Sequence, residues 1–256
     1  ADAGEIDMVR SESGEAIYEN AGASGVGPYI KGQNGEVYPF FYGYKTDGIL
    51  QNQAEANAYN AAYGRNAQPG DVRFVDVDGN DVIDDHDRVK IGKGMPDWTF
   101  GLNLGGDWKN FDLNAFFQGS LGNDVFDFST RGDIPAMNRP AWILDRWTGE
   151  GTSNKLPRLT NANPNGNWAS SDLYIKDGSY LRLKNLQLGY TLPATISQRV
   201  SISKFRLYVA GENLLTFTGY DGFDPELASG DYFTIGVDKG IYPQARTISF
   251  GANITF

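Results

Sequence analysis

From residue 98 onward the chain alternates apolar and polar residues in long blocks. Trp98, Phe100, Leu102 and Leu104 alternate with Thr99, Gly101, Asn103 and Gly105, and Phe111, Leu113, Ala115 and Phe117 alternate with Asp112, Asn114, Phe116 and Gln118. Phe205, Leu207 and Val209 stand opposite Lys204, Arg206 and Tyr208. The last block sets Ile248, Phe250, Ala252, Ile254 and Phe256 against Thr247, Ser249, Gly251, Asn253 and Thr255. Successive side chains of a strand point to opposite faces, so each block predicts a strand with one dry and one wet face. The pattern predicts strands over 98–107, 111–119, 179–190, 204–213 and 246–256. Strict alternation in 179–190 puts Arg182 and Lys184 on the face of Tyr180, Leu186, Leu188 and Tyr190. A lipid-facing strand accepts such charges only near an interface, where long basic side chains can snorkel.

The connections carry further information. Those at 108–110 and 191–203 are short, whereas 120–178 and 214–245 are long. Outer-membrane barrels alternate short periplasmic turns with long extracellular loops. Five strands in series then place residue 256 on the periplasmic side. A soluble sandwich imposes no such parity, although a soluble or surface carbohydrate-binding β-domain remains the alternative. Five strands cannot close a barrel without exposed edges, which are costly in lipid, so the expectation is one part of a larger wall. The sequence divides into 1–97, an extracellular loop region with barrel strand ends, and 98–256, the wall strands with their long loops. Within the first part, 36–44 and 72–75 look extended. The good helix formers of 53–63 predict a short helix that Pro69-Gly70 follows.

Composition narrows the function classes. A net charge of −10 argues against a nucleic-acid partner, which needs clustered Lys and Arg. Glycine at 32 of 256 residues and aromatics at 13% fit alternating strands joined by elaborate loops, and a hydrophobic content of 40% suits a wall better than a thick core. No apolar run reaches the length of a membrane-crossing helix, and a barrel needs none. The chain has no Cys, hence no disulfide or thiol chemistry.

The strongest local motif is Asp76-Val-Asp-Gly-Asn-Asp-Val-Ile-Asp-Asp-His-Asp87. Calcium loops take oxygen ligands at positions 1, 3, 5, 7, 9 and 12. These fall here on Asp76, Asp78, Asn80, the Val82 carbonyl, Asp84 and Asp87. Asp81 stands where such a loop has Gly, and Asp87 where it has a bidentate Glu. The expectation is a structural Ca²⁺ clip, set against a turn held by its own side-chain to backbone hydrogen bonds. His86 is the lone His and forms no zinc set. No nucleophile elbow, phosphate loop or dinucleotide fingerprint occurs, so no enzyme is expected. Loop aromatics supply candidate substrate contacts: Trp142, Trp147, Trp168 and Tyr220, with Asp221 as a polar partner. Core packing is the bland alternative for each aromatic.

Several stretches together resemble the SusC/RagA family of TonB-dependent outer-membrane transporters of Bacteroidetes. They are Phe41-Tyr-Gly-Tyr-Lys-Thr-Asp-Gly-Ile49, Gly70-Asp-Val-Arg-Phe-Val-Asp-Val-Asp-Gly-Asn80 with Ile83-Asp-Asp-His-Asp-Arg88, and the 111–122 block with Asn123-Asp124. Further along come Asp177-Gly-Ser-Tyr-Leu-Arg-Leu-Lys-Asn-Leu186, Leu188-Gly-Tyr-Thr-Leu-Pro193, Tyr208-Val-Ala-Gly-Glu-Asn-Leu-Leu-Thr-Phe217, Gly219-Tyr-Asp-Gly-Phe-Asp-Pro225 and Tyr242-Pro-Gln-Ala-Arg246. The resemblance implies an all-β chain, the C-terminal part of a transmembrane antiparallel barrel of about 22 strands. It also implies an N-terminal remainder bearing a plug, a SusD-like surface lipoprotein, energy from the TonB complex, contact with outer-membrane lipid and a dimer of transporter complexes. The expected function is import of oligosaccharides, with peptides as the alternative cargo. Phe256 matches the aromatic end that serves as an assembly signal in the proteins this chain resembles.

Overall fold

The structure is a computed structural model that describes residues 16–20, 26–33, 35–129, 138–160, 164–197, 199, 201–227 and 232–256. Its strands are β1 (Ile17–Asn20), β2 (Pro28–Gly32), β3 (Phe40–Tyr44), β4 (Thr46–Ile49), β5 (Val72–Phe74), β6 (Arg88–Gly92), β7 (Trp98–Trp108) and β8 (Phe111–Leu121), followed by β9 (Asp124–Asp127), β10 (Ile175–Asp177), β11 (Tyr180–Thr191), β12 (Lys204–Thr218), β13 (Val237–Asp238) and β14 (Thr247–Thr255). Helix α1 spans Gln53–Tyr63, and a single-turn helix α2 spans Ala194–Ser197. No helix among the described residues is long and apolar enough to cross a membrane.

Two compact units divide the chain. One comprises 96–123, 177–226 and 241–256; the other gathers the described residues up to Met95 with 124–176 and 227–240. The first boundary, between Met95 and Pro96, lies beside the one drawn from sequence, and the unit holding the residues before it also gathers stretches of both long loops. Both long loops contribute to the first part of the chain because they carry apolar residues of their own, Phe126 and Val237, that bury beside Tyr29, Ile30 and Phe41.

The wall unit is a five-stranded antiparallel sheet in the order β14-β12-β11-β8-β7. Its register aligns the dry faces across all strands. Trp98 pairs with Leu121, Leu102 with Phe117 and Trp108 with Phe111; Leu113 continues to Leu188, Val209 and Phe250. The opposite face carries Asn103, Phe116, Asn185, Glu212 and Thr247 in one row. Phe256 follows the last strand and is exposed.

One strand departs from the expected alternation. Between Leu183 and Asn185 the register of β11 shifts against both neighbours, leaving Lys184 as an extra residue. The bulge moves Leu181 and Leu183 onto the face of Leu186 and Leu188 and turns Arg182 to the polar side. The expected sharing of one face by Arg182, Lys184, Leu186 and Leu188 is thereby corrected. β12 answers with Asn213 and Leu214, which lie between the register pairs Asn185↔Glu212 and Leu183↔Leu215. Asn213 has φ +52°, a left-handed conformation that Asn tolerates. After this interruption β12 continues to Thr218, well beyond the predicted end at 213.

Close packing on the polar face fixes one glycine. Arg206 of β12 reaches across β11 to Asp112 of β8, with Nε to Oδ1 at 2.9 Å. A Cβ on Gly189, which lies between them, would collide with both the guanidinium and the carboxylate.

The second unit has three small sheets, β1-β2-β3-β6, β10-β9-β13 with β13 parallel to β9, and the pair β4-β5. Helix α1 matches the predicted span. The Asn52 side chain accepts the Glu55 amide at 3.0 Å, and Gly64 closes the helix at φ +61°. Ala56 and Tyr59 bury against Ile49, Leu50, Val72, Phe74 and Ile83. The Tyr59 hydroxyl donates to the Phe74 carbonyl at 3.2 Å and accepts its amide at 3.1 Å. Fully buried Asp71 accepts from Arg158 Nε at 2.6 Å and Asn167 Nδ2 at 2.9 Å, fastening the 120–178 loop beside β5.

Gly189→Val is expected to lower the unfolding free energy of the full-length protein in detergent by about 1–3 kcal/mol through overpacking. Gly105→Ala, whose Cβ meets nothing nearer than Asn114 Nδ2 at 3.6 Å, should leave it unchanged. Denaturant titration of the two variants checks the contrast.

Candidate functional site

The acidic loop is ordered chiefly by its own side chains. Asp76 accepts the amides of Gly79 at 2.7 Å and Asp81 at 2.9 Å. Asn80 Oδ1 accepts the Val82 amide at 2.8 Å, and Asp84 Oδ1 accepts the His86 amide at 2.7 Å. Asp87, fully buried, takes the Val77 amide at 2.7 Å on one oxygen and the Asp84 amide at 2.9 Å on the other. Asp81 adopts φ +63°, the left-handed conformation for which calcium loops use Gly, so the departure at this position preserves the bend. Asp76, Asp78 and Asp87 each turn a carboxylate oxygen inward, all within 4.8 Å of one another. Three oxygen donors with no nitrogen or sulfur among them suit a hard cation. Asp84 stands apart from this trio and binds His86 Nδ1 at 2.9 Å. Burial works against the charge on Asp76, but the Asp81, Gly79 and Asn80 amides outweigh it and hold the carboxyl below its ordinary range.

The aromatic candidates fall in different surroundings. In the loop unit, Trp142 is half-buried with Lys176 Nζ 5.4 Å from its ring centre. Trp147 packs against the core around Ile49 and Val72 and closes over Gly70. Trp168 is half-buried beside buried Asn167 and Ala169. In the wall unit, Tyr220 is 6% exposed with its ring against Gly222, whereas Asp221 is exposed.

Sequence reasoning did not single out the group that organises the polar face. Arg182 is buried, and its guanidinium donates to Thr216 Oγ1 at 2.9 Å, Glu226 Oε2 at 2.7 Å and Asp224 Oδ1 at 2.5 Å. Lys184, extruded by the bulge, adds Glu226 at 2.9 Å. Asp224 also accepts the amides of Glu226 and Gln244, each at 2.9 Å. The segment 219–226 is thus bound down onto the polar face of β11. Two cations inside one predicted strand were the available signal. Burial opposes the charge on Asp224, but the hydrogen bond from Arg182 and the two amides prevail and hold its carboxyl below the usual range.

On the dry face, Trp98 and Trp108 stand at the two ends of eleven-residue β7, both exposed. Ten steps at about 3.4 Å, tilted by about 40°, span about 26 Å, the height of an outer-membrane apolar band. Phe217 at one rim and Phe111 at the other are also exposed, as in the aromatic girdles of such barrels.

No protein-family model matches the chain. It is 35% identical, over 97% of its length, to TonB-dependent receptor P3 of Formosa agariphila, and 28% identical, over 88%, to TonB-dependent receptor SusC of Bacteroides thetaiotaomicron. Its fold matches the RagAB peptide transporter with a TM-score of 0.65 at 26% identity over 89% of the chain, and the RagAB peptide importer in its open-open state with a TM-score of 0.66 over 94%. The chain belongs to the SusC/RagA family. It is an all-β stretch of a TonB-dependent transporter barrel, a class that resides in the outer membrane. It spans about a quarter of the length of these relatives, covering 25% of receptor P3, 21% of SusC and 24% of the RagAB chain.

A lowered Asp224 pKa makes its pairing stabilising above the ordinary carboxyl value of 3.8, and this stability is lost as pH falls through the depressed folded value. Amide exchange in 219–226 should therefore stay slow from neutral pH down to about 4 and accelerate only in stronger acid. Asp224→Asn should loosen the segment already at neutral pH and cost about 1–3 kcal/mol, because the buried guanidinium keeps Glu226 and Thr216 but loses its most buried carboxylate. Hydrogen-exchange mass spectrometry of the full-length transporter at stepped pH reads both effects.

Proposed function

We propose that this chain forms part of the wall and mouth of an importer that carries oligosaccharides across the outer membrane in a TonB-dependent step. The two-faced sheet carries this reading. Its apolar face, framed by exposed tryptophans, suits lipid, while the opposite face is polar and ion-paired. With the dry face in lipid, the inner face lines a space open to polar cargo. The short 109–110 turn lies on the periplasmic side and the long connections face outward, which puts residue 256 on the periplasmic side. The remainder of the transporter supplies the plug and the contact with the TonB complex, a SusD-like lipoprotein covers the mouth, and two such complexes pair. Trp142, Trp168 and Asp221 are the accessible members of the candidate contact set.

In this reading Asp76, Asp78 and Asp87 hold a structural Ca²⁺ that stiffens the acidic loop, with Asn80 and the Val82 carbonyl as further oxygen donors and Asp84 joining only by turning from His86. The ion's role is to neutralise three crowded carboxylates. It takes no part in moving cargo.

The RagAB likeness favours a second reading, in which the cargo is a peptide, since that protein is described as a peptide transporter. Cells expressing the full-length transporter should take up labelled oligosaccharide and lose uptake when TonB is deleted. TonB-dependent uptake of peptides alone would replace the first reading with the second, and uptake of neither would remove both. For the loop, chelation with EGTA or the change Asp87→Asn should expose 70–90 to protease. An unchanged cleavage pattern in EGTA would eliminate the calcium clip.

A further inference from the structure

The segment clamped by Arg182 has a second property. Its anchors alternate with exposure. Tyr220 is 6% exposed and Asp224 3%, yet Phe223 between them is 70% exposed. The neighbouring stretch repeats the arrangement, for the Gln244 amide is bound to Asp224 Oδ2 at 2.9 Å while Tyr242, two residues earlier, is 89% exposed. Asp224 therefore joins two backbone stretches and leaves each with a projecting aromatic ring. Exposed rings on free loops are unremarkable. These two are carried by backbone that a buried guanidinium and two amide bonds hold in place, so little ordering entropy is lost when a ligand meets them. Both stretches belong to the wall unit, and the guanidinium that anchors them lies on the sheet's polar face.

We infer that Phe223 and Tyr242 form a preset aromatic platform for a sugar ring of the cargo, with Arg182 as the positioning residue that holds it. This rests on the oligosaccharide-import reading. A pyranose presents an apolar C–H face that covers a ring and a rim of hydroxyls. The carboxylate of exposed Asp221 and the amide side chain of Gln244 lie within two residues of the rings and suit such hydroxyls. Tyr220, a contact candidate from sequence, is buried at the foot of the segment.

The test uses the full-length transporter purified with its lipoprotein partner, titrated calorimetrically with maltoheptaose, xylohexaose and mannohexaose. Phe223→Ala and Tyr242→Ala should each weaken binding of the accepted glycan by about three- to tenfold, while Phe223→Trp retains it. Thermal unfolding of the variants should match the parent if the rings serve only the cargo, which separates lost contact from lost fold. Arg182→Met, with both rings intact, should weaken binding and also speed amide exchange in 219–226. If the parent binds a glycan and the two Ala variants bind it equally well, the platform is wrong and the import reading stands. If the parent binds none of the three and takes up no oligosaccharide, the import reading falls and the platform with it.

Discussion

A guanidinium cannot face lipid unpaired, and the wall is arranged around keeping Arg182 out of it. Regular alternation along β11 would put Arg182 beside Leu186 and Leu188. The single extra residue Lys184 reverses the parity at that point, and the facing irregularity at Asn213 and Leu214 lets β12 follow. One inserted position thus keeps the dry face unbroken and delivers two cations to the wet face. There they meet Asp224 and Glu226. A buried charge group of this kind adds little net stability relative to apolar packing, but it is severe toward any arrangement that leaves a member unpaired. Its effect is to specify where the 219–226 segment lies.

The same logic recurs at smaller scale. Arg206 and Asp112 join strands that are not neighbours, and the strand between them accommodates this by having no side chain at residue 189. In the loop unit, Asp71 recruits Arg158 and Asn167 from a distant stretch. Each case couples a charged or amide side chain to a side chain far away in sequence, so these stretches are held in place by specific polar contacts as well as by apolar burial. The acidic loop differs, since its carboxylates bind mostly local amides and still converge at Asp76, Asp78 and Asp87.

Much of the wall was legible because period-two alternation is a local signal that needs no partner. Helix α1 was legible for the same reason, its residue propensities lying within a dozen positions. The rest of the loop unit was legible only in the extended stretches 36–44 and 72–75, which hold β3 and β5. Its strands are two to five residues long, too short for a pattern, and Val237 finds its place only beside Phe126. The bulge was visible only as a contradiction, two cations on a dry face, with nothing to indicate which residue would be extruded. Nor does Tyr220-Asp-Gly-Phe-Asp224 reveal which aromatic buries. That depends on where Arg182 grips the segment.

The loop unit is made from three separated stretches of chain. Between the first and second lies the β7–β8 hairpin; between the second and third lie β11 and β12. In an unfolded chain, bringing Phe41, Phe126 and Val237 together would mean closing two very long loops. Once adjacent wall strands have zipped, the effective separations collapse to the few residues at the strand ends. Assembly of the wall is thus the step that makes the loop unit's core kinetically reachable, and a chain whose hairpins have slipped in register would bring its loop stretches together at the wrong spacing to complete that core.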